Sequence, residues 1–237
     1  EIEDREPIAL DGLADWAVGD EILRALLAGQ DPETVRRRIR GQGVVPLGVP
    51  GDLLLDRIRA DAGDVFERVE PHRGGSRRTV DASLDVGGLA IRGTLDDVWT
   101  TGQVLPQFGS VRARHVLVAW LKHLLACVTD PAFAGVTTIV GRAGRSSDWG
   151  DVVAFSGVAG AGADVRARAL DLLADLAALF RFGWRRPLLL FPESSYAYAR
   201  AYLGPKAGPF PDATGRRTAS ARWETADGDE FPGEDAD

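Results

Sequence analysis

Ile91–Arg114 reads IRGTLDDVWTTGQVLPQFGSVRAR, and the fold turns on how this stretch is parsed. Its first half alternates as a strand and ends in two carboxylates, Asp96 and Asp97. Thr101-Gly102 makes a turn, and QVLPQF reads as a short third strand. Pro106 within it predicts an edge or irregular strand, because proline has no N–H to give to a ladder. Upstream, TVDASLD alternates strictly, with Val80, Ala82 and Leu84 on one face, and Gly87-Gly88 turns it into LAIRGTLDDVW. The three segments form a β-meander.

Outward from the meander the period changes to that of helices. Ala9–Gly29 places Leu10, Leu13, Trp16, Ile22, Leu23, Leu26 and Leu27 at helical spacing, with Gly19 expected to split it into two pieces. Asp31 and Pro32 start a second helix, which Gly41 and Gly43 end. VPLGVPG is expected to be a loop, and Asp52–Glu70 an amphipathic helix. Downstream, Ser110–Val128 reads as a helix capped by Ser110, with Val116, Ala119, Trp120, Leu124 and Cys127 near one stripe. GVTTIVGRA and DVVAFSG read as strands around the polar turn GRSSDWGD. The longest helix starts near Ala163, PLLLF reads as a short buried strand, and Pro192 opens a last helix.

This order implies an α/β fold: a single domain with a mixed central sheet flanked by helices. We expect residues 1–50 to be a helical segment packed on the core, 51–205 to be the core, and 206–237 to be an acidic, flexible segment without periodicity. The chain has 237 residues, 45% of them apolar, enough for a real core. No apolar run approaches the ~18 residues of a membrane span, and the single cysteine, Cys127, excludes internal disulfides and a cysteine zinc site. A reducing cytoplasm fits. The absence of methionine and the start at Glu1 predict a piece of a longer protein. The net charge of -7 is concentrated in acidic ends, which leaves a body near +2 with local arginine clusters. Such a body should bind DNA weakly by itself.

A metal-dependent nuclease needs oxygen ligands from two adjacent strands and a lysine beside them. Asp96 or Asp97 supplies a first ligand, but GQVLPQFGSVRAR offers neither acid nor lysine. The pair therefore reads as a solvated strand end or a dead site. His115 and His123, eight apart on one helix, read as satisfied surface or interface histidines, and His72 lies in a loop. Ser194-Ser195 reads as helix capping after Pro192, and the glycines of residues 157–164 as a turn that lacks the Gly-Lys-Ser/Thr of a phosphate loop. The arginines carry two readings, a solvated face paired with acids or contacts to phosphates and acidic partners. The candidates are Arg36, Arg37 and Arg38 on the second helix, Arg112 and Arg114, Arg185 and Arg186, and Arg142 and Arg145 around Trp149. The Arg142–Trp149 turn is favoured because it adds a stacking group to charge.

GTLDDVW followed by FGSVRARHVLVAWLKHLLACV resembles the carboxy-terminal nuclease-like domain of the RecC family, the gamma subunits of exodeoxyribonuclease V (the RecBCD complex). Pro7–Gly29, Arg185–Leu203 and ASARWE with EFPGEDAD near the end are similar in the same order. The resemblance implies a PD-(D/E)xK nuclease-like fold with a degenerate active site. Active relatives carry Gly-x-Ile-Asp, Asp-Tyr-Lys, then Gln and Tyr on the next helix. Gly93-Thr94-Leu95-Asp96 keeps the first, Gln107-Phe108-Gly109-Ser110 stands at the second, and HVLVAWLKHL has neither Gln nor Tyr. The helix of residues 52–70 lacks the histidine of active members. The resemblance thus implies a non-catalytic module with vestigial Asp96 and Asp97, no metal, no cofactor and no small-molecule substrate. Its implied partners are RecB-like and RecD-like subunits and DNA strands guided during break resection. The competing readings are an active nuclease built on Asp96/Asp97 and a protein-docking domain without DNA contact.

Overall fold

A computed structural model of the chain describes residues 10–143, 151–158 and 164–203. Three helices come first: α1 (Gly12–Leu27), α2 (Pro32–Gly41) and α3 (Val49–Val69). A short 3-10 turn, Glu70–His72, leads into β1 (Arg77–Val86), β2 (Leu89–Trp99) and β3 (Gly102–Pro106). Next come α4 (Ala113–Thr129), β4 (Val136–Val140), β5 (Val152–Ser156), α5 (Val165–Gly183) and α6 (Pro192–Leu203).

The five strands form one mixed sheet in the order β1-β2-β3-β4-β5. The β3–β4 pair is parallel and the other three are antiparallel. Alternation along the strands sorts side chains to two faces. Val104 and Val140 join α1, α2 and α3 around Ile39, Ile58 and Val65 in one apolar cluster. Ile139, Val153 and Phe155 pack on the other face with Val111, Val116 and Ala119. Leu124, Leu173 and Ala177 extend that face between α4 and α5.

Local signals set several element ends. Asp11 accepts from Ala14 N at 2.7 Å, and Asp31 accepts from Thr34 N at 2.9 Å, each satisfying an N-terminal donor of its helix. Pro32 stands at the start of α2, as its fixed φ allows. Gly87 and Gly88, at φ 56° and 73°, make the tight turn between β1 and β2. Within the first turn of α6, Ser195 Oγ accepts from the N–H of Phe191, the residue before the helix, at 3.2 Å.

Five expectations change. Gly19 does not split α1. The helix is continuous, and Gly19 is buried because a Cβ there would lie 1.9 Å from the ring of Phe108. The loop before α3 is shorter, since Val49 and Pro50 already belong to the helix and Gly48 turns into it at φ 66°. α4 starts at Ala113 after an extended Arg112, so Ser110 is not its cap. β3 is the middle strand, not an edge; the ladder to β4 tolerates Pro106 because it is the strand's last residue. PLLLF forms no strand, and Leu189 is 90% exposed.

Candidate functional site

Asp96 and Asp97 occupy a β-bulge. Arg78 aligns with Val98 and Val80 with Leu95, so two residues of β2 face Thr79 alone. Asp97 takes up the extra length at φ 56°, a conformation that side-chain-bearing residues other than Asn and Asp rarely adopt. Its carboxylate is bonded to Arg77 Nε at 2.9 Å. Gln103, buried in the neighbouring strand, donates from Nε2 to Asp96 O at 3.2 Å.

The two acids line a cleft of about 290 Å³ with Arg24, Arg73, Arg77 and Trp99, floored by Leu27, Val104 and Pro106. Arg73 stacks on Trp99 at 4.6 Å and donates to Glu70 Oε1 at 2.6 Å. Arg24 is bonded to Asp20 at 2.7 Å. Cations thus stand around Asp96 and Asp97 where a metal site needs further oxygen ligands. No group of three metal-ligating side chains occurs among the described residues. Gln107–Ser110 leads from β3 into α4, with Gln107 N donating to Val140 O at 2.8 Å and Phe108 buried against α1.

The arginine candidates divide into two kinds. Arg36 is bonded to Asp52 at 2.7 Å and to Asp56 at 2.6 Å, and Arg38 to Glu21 at 2.9 Å. Arg40 also pairs with Asp52. Arg37 reaches Thr34 Oγ1 at 3.2 Å. Arg142 is bonded to Asp61 at 3.0 Å and lies 5.3 Å from the centre of the Phe108 ring. Arg145 and Trp149 lie outside the described residues, as does most of the turn that carries them. Arg112, Arg114, Arg185 and Arg186 are exposed.

His123 is the larger surprise. It is fully buried, not a surface or interface residue. Nε2 lies 2.9 Å from Gly157 O, a pure acceptor, so Nε2 carries the proton. Nδ1 then accepts from Thr137 Oγ1 at 3.0 Å. The ring stacks on Trp120 at 5.6 Å and contacts Phe133 and Phe155. Burial holds its pKa down at about 4. The signal was present in the sequence: His123 lies four residues after Ala119 and one before Leu124, both on the apolar stripe. The cleft arginines gave no such signal, because Arg24, Arg73 and Arg77 converge only through the tertiary fold.

The sequence model of the RecC C-terminal domain matches residues 1–203. Among curated proteins, the RecBCD enzyme subunit RecC of Mycolicibacterium smegmatis is 27% identical over 201 residues, 84% of this chain and 18% of that protein. The subunit of the same name from Escherichia coli is 26% identical over 200 residues, 84% of this chain and 16% of its own length. That of Mycobacterium tuberculosis is 29% identical over 142 residues, 60% of this chain and 13% of that protein. The chain therefore spans less than a fifth of the length of these relatives.

Proposed function

We propose a function from a plain premise: the chain belongs to the RecC C-terminal domain family. It acts as a non-catalytic part of a RecC-like subunit in a RecBCD-type helicase-nuclease of the bacterial cytoplasm. There it supports assembly with RecB-like and RecD-like subunits and guides a DNA strand during double-strand-break repair. ATP hydrolysis and cleavage belong to other parts of the assembly, and the domain is a PD-(D/E)xK-like fold whose chemistry has been lost.

One observation supports this reading above the others. The Asp96–Asp97 pair sits at the end of β2 beside a strand that carries Val104, Leu105 and Pro106, and Asp97 is bonded to Arg77. A guanidinium neutralises Asp97, the neighbour of the motif's Asp96, and the adjacent strand supplies neither a second acid nor a lysine. The relatives, named as subunits of a RecBCD enzyme, agree with a part played inside an assembly. There, weak phosphate contacts gain from the high effective concentration of a held strand.

The test is cleavage of single-stranded and forked DNA by the chain with magnesium or manganese. No metal-dependent cleavage is expected, and Asp96→Asn should change nothing. Cleavage that vanishes in Asp96→Asn would establish the active-nuclease reading instead.

A further inference from the structure

Arginines differ in how much charge they have left to offer. Arg36, Arg38 and Arg40 on α2, and Arg142, are spent on carboxylates of their own fold. Arg112 and Arg114, at the start of α4, and Arg185 and Arg186, after α5, are exposed, and none of the four joins an ion pair among the described residues. Arg114 Nε donates to His115 Nε2 at 3.2 Å. Burial, and then Arg114 and Arg112, holds the pKa of that histidine below its ordinary value.

The two arginine pairs belong to one end of the molecule. α4 packs against α6. Glu193 Oε2, on the first turn of α6, accepts from Ala113 N, between Arg112 and Arg114, at 3.4 Å. Arg186 is separated from Pro192, the first residue of α6, by only the segment 187–191. That segment and the residue before Arg185 carry aromatic rings open to water. Trp184 is 80% exposed and Phe191 63%. Trp184 is held in place, its ring 5.4 Å from that of Phe180 and its amide donating to Phe180 O at 3.2 Å.

Exposed rings of this size mark a surface that meets something. Charge decides what. Four arginines stand against Glu193, and an apolar protein face laid over them would strand unpaired guanidinium groups away from water. A single nucleic-acid strand meets both needs at once. Its phosphates take the guanidinium groups, and its bases supply flat apolar faces at intervals between them.

We propose that the end formed by Arg112, Arg114, Trp184, Arg185, Arg186 and Phe191 is a platform for single-stranded nucleic acid, with arginines on phosphates and the two rings under bases. The proposal rests on the strand-guiding reading above and gives it a location.

The test is fluorescence anisotropy of a labelled 12-nucleotide thymidine oligomer with the full 237-residue chain, titrated from low salt upward. Replacing Arg185 and Arg186 by Gln, or Arg112 and Arg114 by Gln, should flatten the slope of log K against log salt by about 0.7 per arginine. Trp184→Ala should weaken binding by about fivefold or more while leaving the slope unchanged, because stacking releases no counterions. Arg36→Gln with Arg38→Gln should leave binding within about twofold of the parent. All the replaced groups but Arg36 lie open to solvent, and unchanged melting of each variant secures the comparison. A parent chain that binds while the platform variants bind equally well overturns the platform and leaves strand guidance in place. A parent chain that shows no binding even at low salt overturns both.

Discussion

His123 should make this fold sensitive to acid, and the size of the effect can be worked from its surroundings. The ring is enclosed by Trp120, Phe133 and Phe155, and both nitrogens are engaged. A proton added at Nδ1 would reverse the bond with Thr137 Oγ1 and place a buried charge that no carboxylate meets among the described residues. The folded pKa of about 4 lies below the ordinary 6.5. The unfolded chain therefore takes up the proton first. The contribution is complete above pH 6.5 and is lost as pH falls from there toward 4. The whole gap corresponds to about 3 kcal/mol. Between pH 7.5 and 5.5, where carboxylates stay ionised, a little over 1 kcal/mol should disappear, about a tenfold rise in the unfolding constant. Urea unfolding at half-unit pH steps measures this. His123→Gln is the informative replacement. Its amide can donate to Gly157 O and accept from Thr137 Oγ1 without titrating. The variant should be less stable at pH 7.5, having lost the ring contacts, but its stability should fall less steeply over this window. Other titrating groups, His115 among them, contribute to both proteins, so the difference between the two slopes isolates His123. Equal slopes would refute the account.

Packing gives two further expected outcomes. Gly19→Ala should destabilise the chain by about 1–2 kcal/mol in the same assay. The new Cβ meets the Phe108 ring, and the overpacking outweighs the roughly 1 kcal/mol gained in helix propensity. Adding Phe108→Leu should recover part of the loss, and a Gly19→Ala variant more stable than the parent would contradict the contact. Cys127 should resist a disulfide reagent at pH 7.5 in the folded chain and react promptly in urea, because burial pushes its thiol up to about 11. Rapid labelling of the native protein would show that the α4–α5 interface opens.

What the sequence made legible was local. Asp31 with Pro32 starts a helix through contacts within one turn, and Gly87-Gly88 closes a hairpin through neighbours in sequence. The α/β class came from such signals, since the change of period is written into each segment. The centrality of β3 was not legible, because its parallel partner β4 lies beyond the whole of α4. PLLLF misled for a different reason. A short apolar run bounded by prolines carries no period, and Leu189 and Leu190 turned out to face water. At the candidate site, the missing second acid could be read directly from GQVLP. The bond from Arg77 to Asp97 could not, since it depends on a bulge that shifts the register by one residue. The arginines were visible as clusters, but only the fold separates those consumed by Asp52, Asp56, Glu21 and Asp61 from those left open.

The sheet also has an uneven seam. β1 and β2 align over nine residue pairs, whereas β2 and β3 align over two, Val98 with Gln103 and Trp99 with Gly102. The long hairpin is therefore joined to the other three strands by little more than one rung of backbone and the side-chain bond from Gln103 to Asp96. α4 bridges the gap, since it packs on β1 as well as on β4 and β5. At the hairpin's tip, Arg181 of α5 donates to Gly87 O at 3.0 Å. A pull on that tip would travel into α5 and α4 before it reached the central strand. In mechanical terms the hairpin is a lever clamped by helices, and the seam beside Asp96 is its fulcrum.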